Sequence, residues 1–141
     1  MKTDLRKAVF LLILILVAAE CSLLSYGGWK RRTEWQYLDD EGQVKKDEWF
    51  QDGSGKTYYL DKEGYMVTGW YLDTDGNWYF LHNVSDGTQG HMYTGWHQIS
   101  GKWYYFRENA GGPMGSLVVN GTTPDGYQAD SDGVCAEYQG R

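Results

Sequence analysis

Gly69-Trp70-Tyr71-Leu72-Asp73-Thr74-Asp75-Gly76-Asn77-Trp78-Tyr79-Phe80-Leu81 decides the fold. Two short aromatic runs flank Asp75-Gly76-Asn77, and turn formers between two runs of β-forming residues read as a hairpin. Side chains along a strand alternate between its faces, so Trp78-Tyr79-Phe80-Leu81 puts rings on both. A lone hairpin cannot bury two aromatic faces and is marginal in water. It needs neighbours of its own kind.

The chain supplies them. Trp29, Trp49, Trp70 and Trp96 each open a unit, at spacings of 20, 21 and 26 residues. Each unit then carries an aromatic strand: Trp35-Gln36-Tyr37-Leu38, Thr57-Tyr58-Tyr59-Leu60, Trp78-Tyr79-Phe80-Leu81 and Trp103-Tyr104-Tyr105-Phe106. Each closes on a Gly followed two residues later by an apolar side chain: Gly42 and Val44, Gly64 and Met66, Gly90 and Met92, Gly115 and Leu117. Insertions around 83–89 and 108–113 lengthen the third and fourth units. Stacking lets each hairpin cover the rings of its neighbour, so the pattern predicts an all-β solenoid of stacked hairpins. Four repeats are expected over 29–121, then a C-terminal cap and tail over 122–141, where Asp125-Gly126-Tyr127 keeps a turn and one ring without Trp.

Composition agrees with this. In 141 residues there are seven Trp, twelve Tyr and nineteen Gly against two Pro. Between Trp29 and Phe106, rings outnumber Leu, Ile and Val by more than two to one. A core of the usual aliphatic kind is hard to build from this supply; the burial has to come from rings. The length fits one ordinary domain or a short array and leaves no room for a catalytic domain beside it.

The first residues are of a different kind. Lys2, Arg6 and Lys7 precede the apolar run Ala8 to Ala19, the make-up of a signal helix. Residues 1–19 are expected to be a signal peptide cut before Glu20, or an uncleaved segment that anchors the chain to the membrane, with 20–28 a short linker. Cys21 would be a lipidation point, but Glu20 stands where a lipobox needs a small residue. The net charge of −6 becomes more negative once residues 1–19 are removed. Such a surface excludes nucleic acid, which needs clustered Lys and Arg, and suits a cationic partner.

The pattern Gly-Trp, then Trp-Tyr-Tyr-Leu, then Asp-x-x-Gly-x-Met resembles the cell-wall-binding repeat, also called the choline-binding or glucan-binding repeat, of Gram-positive surface proteins and phage lysins. The resemblance covers roughly residues 28–133. It implies a superhelix of hairpins that binds choline on teichoic acids between rings of consecutive hairpins, or binds glycans. It also implies a secreted protein held at the cell wall or cell surface of a Gram-positive bacterium or its phage. Carried onto this sequence, a cage takes the opening Trp and the first ring of the aromatic strand, completed by a Tyr of the next hairpin. Trp70 with Trp78 and Tyr104 or Tyr105 is the most intact set, and Trp29 with Trp35 and Tyr58 or Tyr59 the second. Trp96 with Trp103 has only Tyr127 to complete it. Thr57 replaces the strand Trp beside Trp49, so that cage is expected to be lost or altered. Met66 and Met92 are expected as cage walls.

The chemistry points the same way. A quaternary ammonium has no hydrogen to donate and is held by the negative faces of several rings, each worth about 0.5–2 kcal/mol. After the cost of association, three rings leave an affinity in roughly the millimolar range, so attachment relies on several sites meeting a repetitive polymer. Sugar rings stack on the same faces, so choline-decorated teichoic acid and extracellular glycan both remain as partners. The competing reading is a structural or adhesive surface protein whose rings are only core.

Other chemistry finds little support. Asp73-Thr74-Asp75-Gly76-Asn77 and Asp130-Ser131-Asp132-Gly133 begin like calcium loops but lack the later Glu, and His82, His91 and His97 lack the spacing of a zinc site. The histidines are expected on the surface, and no metal or cofactor is expected. Carboxylates recur in every turn rather than at one special place, and no nucleophile has a recognisable setting; the chain reads as no enzyme. Cys21 and Cys135 should stand too far apart in a solenoid to pair, leaving them free or joined between chains in a dimer.

Overall fold

The computed structural model describes residues 28–31, 34–109 and 111–140. The expected signal helix or anchor, Cys21 and most of the linker lie outside them. Among the described residues there are ten strands and no helix: β1 Gly28–Arg31, β2 Trp35–Leu38, β3 Glu48–Gln51, β4 Thr57–Leu60, β5 Gly69–Leu72, β6 Trp78–Leu81, β7 Gly95–Ile99, β8 Lys102–Phe106, β9 Gly121–Thr122 and β10 Gln128–Ala129. They pair consecutively into five two-stranded sheets. In the β1–β2, β5–β6 and β7–β8 sheets the strands are antiparallel, with Trp29 opposite Tyr37, Trp70 opposite Phe80 and Trp96 opposite Tyr105. The segment expected as a cap makes the fifth hairpin, with strands of only two residues and Thr122 opposite Gln128. Thr122 holds the place that Trp holds in the earlier units.

The chain forms two compact units. One contains β1, β2, the residues on to Glu48 and the segment Leu60–Met66; the other contains Trp49–Tyr59 and the chain from Val67 onward. Inside both, one bond repeats. The amide at the closing apolar position donates to the carbonyl of the residue that begins the previous aromatic strand. In the first unit Met66 donates to Trp35 at 2.8 Å. In the second, Met92 donates to Thr57 at 2.7 Å, Leu117 to Trp78 at 2.7 Å and Cys135 to Trp103 at 2.9 Å. Cys135 is therefore the closing residue of the fifth hairpin, buried and not disulfide-bonded.

Glycine is required where the closing loop passes over the previous one. Gly64, Gly115 and Gly133 all have positive φ, and a Cβ on them would collide with Val44, Met92 and Leu117 respectively. Each of those three is the closing apolar residue of the preceding hairpin, so the glycine and the apolar position form one contact that repeats along the chain.

In β4, β6 and β8 the last residue of the aromatic strand is sealed completely: Leu60, Leu81 and Phe106 are 0% exposed. Full burial of such a side chain is worth roughly 1.5–3 kcal/mol over leaving it in water. In β6 and β8 the two rings before it, Tyr79 and Phe80 or Tyr104 and Tyr105, are buried as well. Alternation sends these neighbours to opposite faces, so both faces of the strand are covered. Rings act as the core, and Trp78, at the strand's start, is left 42% exposed.

Turns are held by their own carboxylates. Asp61 Oδ1 accepts the amides of Glu63 and Tyr65, and Asp130 Oδ1 accepts those of Asp132 and Val134. Asp75 accepts the amide of Asn77 and the Tyr79 hydroxyl, at 2.8 and 3.1 Å. These carboxylates satisfy backbone donors that the turn would otherwise leave open.

Candidate ligand-binding cages

Trp70 lies in β5, Trp78 opens β6 and Tyr104 lies in β8, and the fold brings the three rings to one groove of about 400 Å³. Trp70 stands nearly perpendicular to Trp78, with centroids 6.3 Å apart, and to Tyr104 at 5.1 Å. Both Trp are about two-fifths exposed, while Tyr104 is buried. The pairing of β5 with β6 puts the two Trp on one face, and the bond from Leu117 to Trp78 carries the next closing loop across their base. Leu117 supplies an apolar wall, and Val119, Ser131 and Asp132 complete the lining. Burial, with the charges of Asp130 and Asp132, pushes the Tyr104 phenol above its ordinary value, so the ring keeps its proton. The groove offers aromatic faces at right angles with a carboxylate on the lining, an arrangement able to hold a bulky cation.

Tyr105, the alternative third ring, packs instead on Trp96 at 5.2 Å and donates to Glu108. Met92 does not wall this groove. Its amide is engaged at Thr57, and its thioether packs where Gly115 has no side chain. The closing residue of one hairpin serves the strand of the hairpin before it, so the wall at Trp70 and Trp78 is Leu117.

The other sets differ. At the second position Trp49 touches Tyr59, Tyr71 and Tyr79, at centroid distances of 5.1, 5.8 and 4.8 Å, and its indole donates to Asp73 at 2.8 Å. Tyrosines crowd the Trp that Thr57 leaves without a strand partner. Trp29, Trp35 and Met66 belong to the first unit, where Trp29 lies edge-on to Tyr37 at 5.4 Å. Tyr58 belongs to the second, buried and stacked on Phe50, its phenol pushed up to about 12 by burial and by Asp52.

At the last position the rings are already in use. The side chain of Tyr138 packs against both Trp96 and Trp103, parallel to Trp96 at 3.7 Å and edge-on to Trp103 at 5.0 Å. Sequence reasoning assigned Tyr138 no part, because it lies outside the repeat; its only signal was being the one ring beyond the fifth hairpin.

The three histidines also depart from expectation. His82, His91 and His97 are half-buried around Tyr93 rather than scattered over the surface. Tyr93 stacks on His97 with centroids 3.7 Å apart, and His82 Nδ1 lies 2.6 Å from the Tyr93 hydroxyl. The insertion at 83–89 folds back so that Asp86 meets His82 Nε2 at 3.0 Å. Among the described residues no group of His, Cys, Asp and Glu has the arrangement of a metal site.

A family model for the choline-binding repeat matches residues 50–93, and one for the putative cell wall binding repeat matches 94–109. The chain belongs to the choline-binding cell-wall repeat family. Solved structures extend the match beyond those residues. Choline binding protein F from Streptococcus pneumoniae, crystallised in the presence of a peptidoglycan analogue, is 42% identical over 79% of this chain and 34% of its own, with a TM-score of 0.65. CbpJ from the TIGR4 strain of the same species is 39% identical over the same shares, also at 0.65. The modular Cpl-1 endolysin of phage Cp-1, complexed with a peptidoglycan analogue, is 31% identical over 68% of this chain and 25% of its own, at 0.54. The choline-binding repeat chain thus spans about a third of the first two structures and a quarter of the third, and shares their hairpin-solenoid fold. No curated protein sequence matches it.

Proposed function

We propose that this chain is a non-catalytic, secreted cell-wall-binding module that attaches to choline-bearing teichoic acid at the surface of a Gram-positive bacterium or its phage. The observation that carries this reading is the groove of Trp70, Trp78 and Tyr104, in which two exposed indoles stand at right angles over a buried phenol. Adjacent exposed apolar side chains rimmed by polar residues mark interaction sites, and a trimethylammonium head fits the right-angled faces that a flat sugar ring cannot all cover at once. Asp132 on the lining favours a cation over a neutral sugar. Trp29 with Trp35 and Met66 is proposed as a further cage of the same kind. The absence of a catalytic role is supported by the turn carboxylates, which are spent on backbone amides.

The test is retention on a choline resin. Replacing Trp70 and Trp78 together by Ala should cut retention severely while the circular dichroism of the array is kept. Full retention by the folded double variant would remove the groove from the function. Elution of the wild-type chain by soluble glucan but not by choline would replace choline with glycan as the ligand.

A further inference from the structure

We propose that Tyr138 is a built-in competitor for quaternary ammonium at the cage of Trp96, Trp103 and Tyr127, its phenol standing where the cation would. This rests on the cage reading of Trp70, Trp78 and Tyr104. The two sets of rings are built alike. Trp96 lies edge-on to Tyr127 at 5.6 Å, as Trp70 does to Tyr104 at 5.1 Å, and the amide bond from Cys135 to Trp103 repeats the one from Leu117 to Trp78.

They part after the closing residue. Beyond Leu117 the chain runs on into β9. Beyond Cys135 it turns, with the Tyr138 amide donating to the Cys135 carbonyl at 3.2 Å, and the turn returns the phenol to the cage. The ring is parallel to Trp96 to within 1° and presents its edge to Trp103 and Tyr127, each 5.0 Å away at 81° and 88°. It is only 6% exposed. Gly140, at φ +83°, lets the following backbone lie against Trp103, which a Cβ would approach to 3.0 Å.

Tyr138 therefore covers the faces that a cation would use, and the two exclude each other. A ring tethered this closely acts at an effective concentration of about millimolar or above, the range in which a three-ring cage binds its ligand. The last cage is closed at low ligand and opens as ligand rises; on a choline-dense polymer it adds a second point of attachment.

Equilibrium dialysis with choline on Tyr138→Ala tests this. The variant should fill its last cage at a choline concentration at least about fivefold lower than the wild type does, and Trp103→Ala in the same background should remove that second binding step. An unchanged binding curve in a folded variant would overturn the proposal. If the variant fails to fold, the wild-type chain carries the test through tetranitromethane nitration read by mass spectrometry. Choline at a hundred times its dissociation constant can shift a competing equilibrium about a hundredfold, so the nitration rate of Tyr138 should rise at least about fivefold. A constant rate would overturn the proposal. Binding by Tyr138→Ala but not by the wild type would leave the last cage standing and remove the Trp70 groove; binding by neither would sink both.

Discussion

At the scale of single residues, side chains of one chemical type have separate duties according to their place in the repeat. Tyr104 and Tyr105 are adjacent in sequence, yet one floors the groove and the other packs on Trp96. Asp130 and Asp132 share a turn, yet Asp130 holds backbone amides while Asp132 lines the groove. Asp132→Asn should weaken choline binding by about two- to fivefold, the range for a solvent-exposed charge interaction, and should reduce its salt dependence; titrations at two ionic strengths check this. A side chain at Gly133 would meet both an adverse φ and the Leu117 side chain at 2.6 Å. Gly133→Ala should therefore lower stability by about 1–3 kcal/mol, measured by urea unfolding. Because Leu117 walls the groove, the same variant should also loosen choline binding.

At the scale of the hairpin, the sequence was legible wherever the repeat itself carried the information. The turn of Asp75-Gly76-Asn77 and the two flanking runs told the strands, and the shared register put Trp70, Trp78 and Tyr104 together. It failed where side chains from different elements meet. His82 follows β6, His91 closes the insertion and His97 lies in β7, and no spacing along the chain announces that all three surround Tyr93. Nor does spacing announce that a closing residue serves the preceding hairpin, an offset set for Met92 by the bond to Thr57. Thr57→Trp should for that reason add no choline site by dialysis, since Tyr71 and Tyr79 already crowd Trp49. The histidine cluster has its own consequence. Burial holds His97 below its ordinary value of 6.5, the charges of His91 and His82 act in the same direction, and the bond to the Thr94 carbonyl opposes them. The unfolded chain then takes up the proton more readily than the folded one. The stability His97 contributes is complete above about pH 6.5 and is lost as pH falls from there toward the lower folded value. The urea midpoint should drop between pH 7.5 and 5.5, and should drop less in His97→Phe, which keeps a ring against Tyr93.

At the scale of the whole molecule, stability and binding draw on the same rings, so ligand should be felt as stability. A ligand that binds only the folded chain adds about 2.7 kcal/mol at a hundred times its dissociation constant. Each kcal/mol moves the midpoint of a domain of about 100 residues by roughly 4–8 °C. Saturating choline should therefore raise the thermal midpoint by about 10 °C or more, a shift that scanning calorimetry can follow. Trp70→Ala with Trp78→Ala should remove most of that shift. The reading in which the rings are only core predicts the opposite pattern: a lower midpoint from losing two Trp, and no response to choline in either protein. The two exposed indoles make the distinction sharp, because a Trp about two-fifths exposed contributes less to the core than the sealed Leu81 at the far end of its strand. Its removal should cost the folded state little beside what it takes from the liganded one.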